Sequence, residues 1–208
     1  MNNIIKNALP ITAALLLGLP VQINFAAEEI NASNTVDKNK EKDMALSGTN
    51  KILVAYFSHT GNTREIANQI HKLVGGDIVE IQTVTPYPDD YNAVVKQARE
   101  ELAPGYKPAL KTKVENIKSY DLVFVGYPNW CSTIPAPVRT FLSEYDFSGK
   151  VIVPFCTHGS GGLARSVTDI SELCPKSSFL DAFAIPGKEV KTAQNKVSEW
   201  LRKIKIIK

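Results

Sequence analysis

Beyond residue 50, short apolar runs alternate with longer stretches in which apolar residues recur at every third or fourth position. The runs have the length of buried strands, and the stretches have the period of amphipathic helices. Such an alternation predicts an α/β domain in which helices cover both faces of a parallel sheet. Five strands are predicted, at Ile52–Phe57, Ile78–Gln82, Leu122–Tyr127, Val151–Phe155 and Phe179–Phe183.

A helix is predicted after each of these strands. In open parallel sheets, ligands bind beyond the carboxyl ends of the strands, where the winding direction reverses. The loops after strands one, three and four are therefore expected to carry the chemistry. The predicted helices are Thr63–Val74, Tyr91–Ala103, Ala136–Tyr145, Leu163–Leu173 and Glu189–Ile204.

The loop after the first strand is rich in hydroxyl groups and leads directly into a helix. The first N–H groups of a helix lack intrahelical acceptors, and the summed peptide dipoles place roughly half a positive charge there. Together with the loop hydroxyls, these N–H groups and the helix dipole predict a site for a phosphate monoester. The alternative is an ordinary turn in which Asn62 or Thr63 caps the helix. The loop consists of Ser58, His59, Thr60, Gly61, Asn62 and Thr63.

The loops after strands three and four are also unusual. Prolines at positions 128, 135 and 137 stiffen the first of them, which presents Trp130 among polar neighbours. A rigid loop that presents an indole suits stacking on a planar aromatic ligand, although the indole could instead fold back over the core. In the second, glycines at positions 159, 161 and 162 allow a ligand to approach the backbone closely.

The segment from Val54 to Ile70, in which a strand leads into Ser-x-Thr-Gly-Asn-Thr and then a helix, resembles the phosphate loop of the flavodoxin family. The two later loops are similar to the flavin-ring loops of flavodoxin-like proteins, and a Pro-Tyr-Pro turn at residues 86–88 also fits them. The resemblance covers about residues 50–205. It implies a flavodoxin-like three-layer sandwich, a five-stranded parallel sheet of order 2-1-3-4-5, and flavin mononucleotide (FMN) as cofactor.

The resemblance also implies which residues hold FMN, and it assigns no catalytic residue and no metal ligand. The phosphate is expected at residues 58–63, and the flavin ring at the two later loops. Cys131 departs from the family, which often has a bulky or aromatic residue there. The expected cofactor-binding residues are Ser58, His59, Thr60, Gly61, Asn62, Thr63, Pro128, Asn129, Trp130, Cys131, Thr157, His158, Gly159, Ser160 and Gly161.

Two histidines and two cysteines lie in these loops. His59 could donate to the phosphate and His158 to the flavin ring, since histidine titrates near neutral pH; both could instead simply face solvent. Cys131 and Cys156 could form a disulfide or a redox-active pair. The plainer interpretation, which we favour, makes Cys156 a small buried residue at a strand end.

Other catalytic motifs fail on spacing. A Cys-x5-Arg phosphatase loop that starts at Cys156 would need arginine at Gly162. A nucleophile elbow at Ser160 would need glycine at His158. No Gly-Lys-Ser/Thr phosphate loop occurs, and no histidine and cysteine spacing fits zinc.

The N-terminal segment predicts export. Lys6 lies near the start, a short apolar stretch spans Ile11–Leu19, and the small residues Ala26 and Ala27 follow. Residues 1–27 are therefore expected to be a signal peptide, with an uncleaved anchor as the alternative. Residues 28–49 are polar and predict a flexible linker, and residues 50–208 form the folded domain. The protein is expected in the periplasm, in the cell envelope or outside the cell.

The flavin pocket leaves two functions open, because one fold hosts both. The first is an electron carrier that works with a redox protein partner; the second is an FMN-dependent reductase of quinones or nitro compounds that uses NAD(P)H and a small-molecule acceptor. The lack of a long insertion favours the carrier, as a monomer or homodimer. A third hypothesis is a domain that has lost its flavin. The net charge of +3 is too small and too scattered to indicate nucleic-acid binding.

Overall fold

The computed structural model of the protein describes residues 51–208. The predicted signal peptide and linker lie outside these residues. Among the described residues, no helix is both long enough and apolar enough to cross a membrane.

Six strands and five α-helices make up the described domain. Two 3₁₀ helices, Ile117–Ser119 and Gly187–Thr192, precede β3 and α5. The strands are β1 Ile52–Tyr56, β2 Asp77–Glu80, β3 Leu122–Pro128, β4 Val151–His158, β5 Ser178–Phe179 and β6 Phe183–Pro186. The α-helices are α1 Asn62–Val74, α2 Tyr91–Glu100, α3 Ala136–Glu144, α4 Ser166–Leu173 and α5 Gln194–Lys203.

The strands form one parallel sheet in the order β2-β1-β3-β4-β5, which confirms the predicted fold and strand order. β6 also pairs with β4 in parallel, so the fifth position of the sheet is filled by two short strands in line. The crossovers after β1 and β3 run in opposite directions along the sheet, which places the reversal point between these two strands.

Side chains alternate along the strands and feed two cores, one on each face of the sheet. On one face, Val54 and Phe124 pack with α1 and α5. On the other, Leu53 and Val125 pack with residues of α2, α3 and α4. Gly126 contacts the first of these cores, since a Cβ atom there would lie 2.1 Å from the ring of Phe155.

The sheet differs from the prediction at β4 and at the fifth strand. β4 continues to His158, so that Cys156, Thr157 and His158 belong to the strand and not to the loop. The predicted strand at 179–183 is interrupted after residue 179 and resumes at 183. In the gap, the carbonyl of Asp181 accepts a hydrogen bond of 2.8 Å from Trp200 Nε1, so this backbone group pairs with a helix side chain and not with a strand.

Three helices are shorter than predicted by three residues or more. α2 ends at Glu100 because the chain turns ahead of Pro104, and proline disfavours the helical conformation of the residue before it. α4 begins only at Ser166, after a turn through Ala164, whose φ is +45°. The last helix was predicted from Glu189, but a 3₁₀ helix occupies 187–192 and the α-helix starts at 194.

Candidate functional site

The loop between β1 and α1 presents unpaired backbone donors. Gly61 stands directly before the helix with φ +90°, a left-handed conformation that side-chain-bearing residues rarely adopt. Its carbonyl accepts the N–H of Glu65 at 3.0 Å, which starts the helical ladder. Within residues 51–208, the N–H groups of residues 60–63 have no acceptor. Neither Asn62 nor Thr63 caps the helix, so the predicted alternative of a cap by one of these residues is not seen.

Thr63 is buried and joins this loop to the end of β4. Its Oγ1 lies 2.8 Å from Oγ1 of Thr157, and both residues are less than 4% exposed. These two hydroxyls are hydrogen-bonded to each other, which leaves the backbone N–H groups of the loop as the main source of donors. Ser58 is similarly engaged, since its Oγ accepts the N–H of Arg64 at 3.2 Å.

The charge of Arg64 is neutralised locally. Its guanidinium lies 2.6 Å from Glu80, and this hydrogen bond raises the pKa of Arg64. Two other cations line the cavity: Lys188, which follows β6 with Gly187, and Arg99 in α2. A Cβ atom at Gly187 would lie 2.6 Å from the side-chain nitrogen of Asn62, so a larger residue there would displace the Asn62 side chain.

The chain after β3 forms a tight hairpin that we call the ring turn, residues Trp130 to Thr133. Trp130 and Thr133 exchange two backbone hydrogen bonds of 3.2 and 3.0 Å. The two residues between them, Cys131 and Ser132, both have positive φ values, of +51° and +64°. Two successive left-handed residues are typical of a type I′ turn, which normally uses glycine or asparagine.

Asn129 ties the ring turn to the loop after β4. Its backbone N–H donates to the carbonyl of Thr157 at 2.8 Å, and its side-chain amide donates to that of Gly162 at 2.6 Å. Gly159, Ser160 and Gly161 are exposed and make no side-chain hydrogen bond within the described residues. The two loops therefore form one connected surface.

Trp130 packs edge-on within an aromatic cluster. Its ring centroid lies 5.5 Å from Phe57, 5.1 Å from Tyr87 and 5.8 Å from His59. The indole is half-buried and borders the cavity, so it both folds back over the core and faces the site. The Tyr87 hydroxyl donates to the buried carboxylate of Glu101 at 2.5 Å, which holds the tyrosine ring under the indole.

The two histidines occupy different environments. His59 Nε2 lies 2.9 Å from the carbonyl oxygen of Pro88, so this nitrogen faces the proline turn. His158 ends β4, and its Nδ1 is buried without a hydrogen-bond partner among the described residues. An unpartnered buried nitrogen beside a cavity is one feature that a bound ligand would satisfy.

The cysteines are free thiols. Cys131 is exposed at the tip of the ring turn, whereas Cys156 and Cys174 are buried. Burial raises the pKa of Cys156 to about 12. The plainer interpretation of Cys156, a small buried residue at the strand end, is confirmed.

A cavity of about 870 Å³ joins the three loops. Ten of the predicted site residues line it, and the other five, at 58, 61, 63, 160 and 161, lie behind or beside the wall. The sequence analysis missed the wall formed by α2, where Tyr91, Val94, Val95 and Ala98 recur at helical spacing. The full set missed is Asp89, Tyr91, Val94, Val95, Ala98, Arg99, Leu102, Ser132, Gly187 and Lys188.

This geometry fits FMN. Unpaired N–H groups at a helix start suit a phosphate, a half-buried indole suits a planar ring, and the orphaned Nδ1 of His158 suits a polar ligand atom. The cavity size is within the range usual for cofactor sites.

Comparison with known proteins agrees with the fold. A flavodoxin of Haemophilus influenzae is 29% identical over 101 residues, which are 47% of this chain and 44% of that protein. A proposed flavoprotein from Bacteroides eggerthii is 34% identical, with a TM-score of 0.68, over 77% of this chain and 100% of that one. A flavoprotein from Lactobacillus acidophilus in complex with FMN shares the fold at 20% identity, with a TM-score of 0.58, over 73% of this chain and 99% of that one.

The aligned segment spans less than half of the Haemophilus protein, and the Bacteroides protein is matched over its whole length. The family model described as flavodoxin matches residues 51–204, almost the entire described part of the chain. The chain therefore belongs to the flavodoxin family, the FMN-binding family whose phosphate loop its sequence resembles.

Proposed function

We propose that the protein binds FMN at the carboxyl edge of the sheet and carries electrons to a redox protein partner. The observation that supports this most is a single cavity that joins the unpaired N–H groups before α1 to the indole of Trp130. When bound, FMN supplies a redox centre that exchanges one or two electrons. The protein supplies binding, orientation and shielding from water.

The phosphate of FMN is assigned to the start of α1. The N–H groups of residues 60–63 are free to donate to it, and the positive end of the helix dipole favours its charge. Lys188 adds a cation at the wall of the cavity. Ser58 and Thr63 act indirectly, since their hydroxyls hold the loop in shape.

The flavin ring is assigned to the surface between the ring turn and the loop after β4. Trp130 offers an apolar face, and the N–H groups of Cys131 and Ser132 have no acceptor within residues 51–208. Nδ1 of His158 likewise has no hydrogen-bond partner among the described residues. The glycines at 159 and 161 leave the backbone accessible.

The first experiment is an absorbance spectrum of the purified protein before and after addition of FMN and desalting. We expect flavin bands that survive desalting, and weaker retention of riboflavin, which has the same ring without the phosphate. Replacement of Lys188 by glutamine should weaken FMN binding up to tenfold. Lys191→Gln, an equivalent change in the same 3₁₀ helix away from the cavity, should not. A protein that retains no FMN would falsify the proposal.

The second candidate function is an FMN-dependent reductase of quinones or nitro compounds. The observation that favours it is the apolar wall formed by α2 and the turn after it, which extends the cavity beyond the three loops and includes exposed Tyr91 and Leu102. Such a wall offers room for a planar acceptor. NADPH consumption that depends on an added quinone would support this function. If FMN-loaded protein consumes no NADPH, electron carriage is the remaining function.

The export of the protein is a separate proposal that rests on residues 1–27 alone. Fractionation of cells that express the full chain, followed by N-terminal sequencing, tests it. Mature protein that starts near residue 28 outside the cytoplasm is the expected result. Intact protein in the membrane fraction would indicate an uncleaved anchor.

A further inference from the structure

The ring turn adopts a conformation that its own residues disfavour. Cys131 and Ser132 both carry side chains and both lie in the left-handed region, at φ +51° and +64°. Residues in such conformations persist only where the surrounding structure fixes them. Two backbone hydrogen bonds close the turn but do not choose its handedness, so another contact has to hold it.

That contact comes from Asp169 in α4. The hydroxyl of Thr133, the last residue of the ring turn, donates to Asp169 Oδ2. The side chain of Arg165 donates to Asp169 Oδ1 through Nε and Nη2, at 2.9 and 2.8 Å. Thr133 and Asp169 are both less than 9% exposed, so the hydrogen bond between them is shielded from water, whereas the Arg165 side chain is 70% exposed. Charge-assisted hydrogen bonds of this kind are the strong ones.

The same helix end holds the turn a second time. The backbone N–H of Arg165 donates to the carbonyl of Ser132 at 3.2 Å. Tyr127, which precedes the turn in β3, has its hydroxyl 2.9 Å from Ser166 Oγ, the next residue along. The first turn of α4 and the residue before it therefore contact the chain after the tip, at Ser132 and Thr133, and also before it, at Tyr127.

We propose that Asp169 is a positioning residue for the flavin ring. Through Thr133 and Arg165 it fixes the handedness of the ring turn, and thereby sets where the N–H groups of Cys131 and Ser132 point. These two N–H groups lie at the cavity wall without an acceptor among the described residues. Their placement decides how well the site distinguishes oxidised from reduced FMN. The inference rests on the proposed function, because it assigns the ring to this turn.

The first test needs no cofactor. We expect Asp169→Asn to speed amide hydrogen exchange in a peptide spanning residues 128–135 at least tenfold, with exchange in β1 unchanged. The amide keeps the shape of the side chain but loses the charge that Arg165 binds. Asp181→Asn is the matched control: it removes an exposed carboxylate, paired with Lys203 at 3.3 Å, in the gap between β5 and β6.

The second test uses FMN-loaded protein and measures the midpoint potential. We expect Asp169→Asn to change the ratio of affinities for oxidised and reduced FMN about tenfold, which is about 30 mV for a two-electron couple. A role confined to stability would weaken both affinities equally and leave the potential unchanged. The control variant should match the wild type in potential.

Normal exchange in residues 128–135, or an unchanged potential beside faster exchange, would overturn the inference. If Asp169→Asn does not fold, Thr133→Val removes the hydrogen bond from the ring turn to Asp169 with little change in shape and gives the same two readouts. Failure of the wild type to retain FMN would refute the proposed function instead. In that case the exchange measurement still decides whether Asp169 fixes the turn.

Discussion

The phosphate loop and the ring turn face the same cavity but are held in opposite ways. In the phosphate loop, a glycine occupies the left-handed position, and the donors are the N–H groups that any helix start leaves unpaired. In the ring turn, two side-chain-bearing residues occupy left-handed positions, and contacts from Arg165 and Asp169 hold them there. The first is fixed by a local segment, and the second by tertiary structure. The anion half of the site should therefore survive changes elsewhere that disturb the ring half.

The largest effect expected is on the phosphate loop. Gly61→Ala places a Cβ at φ +90°, which should destabilise the protein by about 1–3 kcal/mol and weaken FMN binding more than tenfold. Equilibrium urea unfolding and FMN titration measure the two effects. Gly149→Ala is the matched control, because Gly149 has φ +74° and open space around it but lies away from the cavity. It should reduce stability similarly and leave FMN binding intact; equal losses of binding would contradict the local account.

The next largest effect is expected at the hydroxyl pair of Thr63 and Thr157, which links the two halves of the site. Thr157→Val alone leaves the buried hydroxyl of Thr63 without its partner and should cost about 1–2 kcal/mol in unfolding free energy. The double variant Thr63→Val with Thr157→Val removes both polar groups and should recover most of that loss. Urea unfolding of the two single variants and the double variant measures the coupling. Additive losses would mean that the pair is not a unit.

The buried thiol beneath the two loops predicts a pH dependence. The pKa of Cys156 is raised from 9.0 to about 12 in the folded state, so its contribution to stability is complete below pH 9 and is lost as pH rises towards 12. The unfolded chain releases the thiol proton first, so stability should fall by about 1 kcal/mol between pH 8 and 10 from this group. Cys156→Ala should flatten that part of the curve. If the curves of unfolding free energy against pH are parallel for the variant and the wild type, the Cys156 thiol plays no part in the pH dependence.

The smallest effect expected is a gain in stability. Ser132→Gly removes the side chain from a left-handed position and should raise the unfolding free energy by about 0.5–1 kcal/mol. The ring turn should also depend less on Asp169, so that Ser132→Gly partly offsets Asp169→Asn. Urea unfolding of the single and combined variants tests both statements. A loss of stability in Ser132→Gly would show that the turn is not strained.

The contrast between a loop fixed by a local segment and a turn fixed by tertiary contacts also explains which features the sequence predicts. The succession of strands and helices along the chain and the phosphate loop follow from local patterns, since apolar runs, helical periods and a glycine before a helix act over a few residues, whereas the order of the strands in the sheet came from the family resemblance. Asp169 lies 36 positions from Thr133 in the sequence, and no spacing rule connects the two residues. The interruption of the fifth strand likewise depends on a hydrogen bond from Trp200 to Asp181, 19 positions away.

The apolar stripe on α2 was visible in the sequence as a helical period, but periodicity says only that one face is covered. Val94 and Ala98 are buried, whereas Tyr91 is 77% exposed on the same side of the helix. Whether such a face meets a core or borders a cavity depends on what the neighbouring loops leave open. That is decided by the ring turn, far along the chain.

The divided fifth strand also bears on how the protein behaves at high concentration. An open sheet has two edges, and a long unpaired edge is a template for strands of other molecules. Here one edge is presented as two short pieces, Ser178–Phe179 and Phe183–Pro186, with the chain leaving the sheet between them. Beyond the end of β2 at the other edge, Lys111 donates to the carbonyl of Gln82 at 2.8 Å, and Thr83 pairs with Leu110. Both margins are poor templates, so the domain is protected against edge-to-edge aggregation.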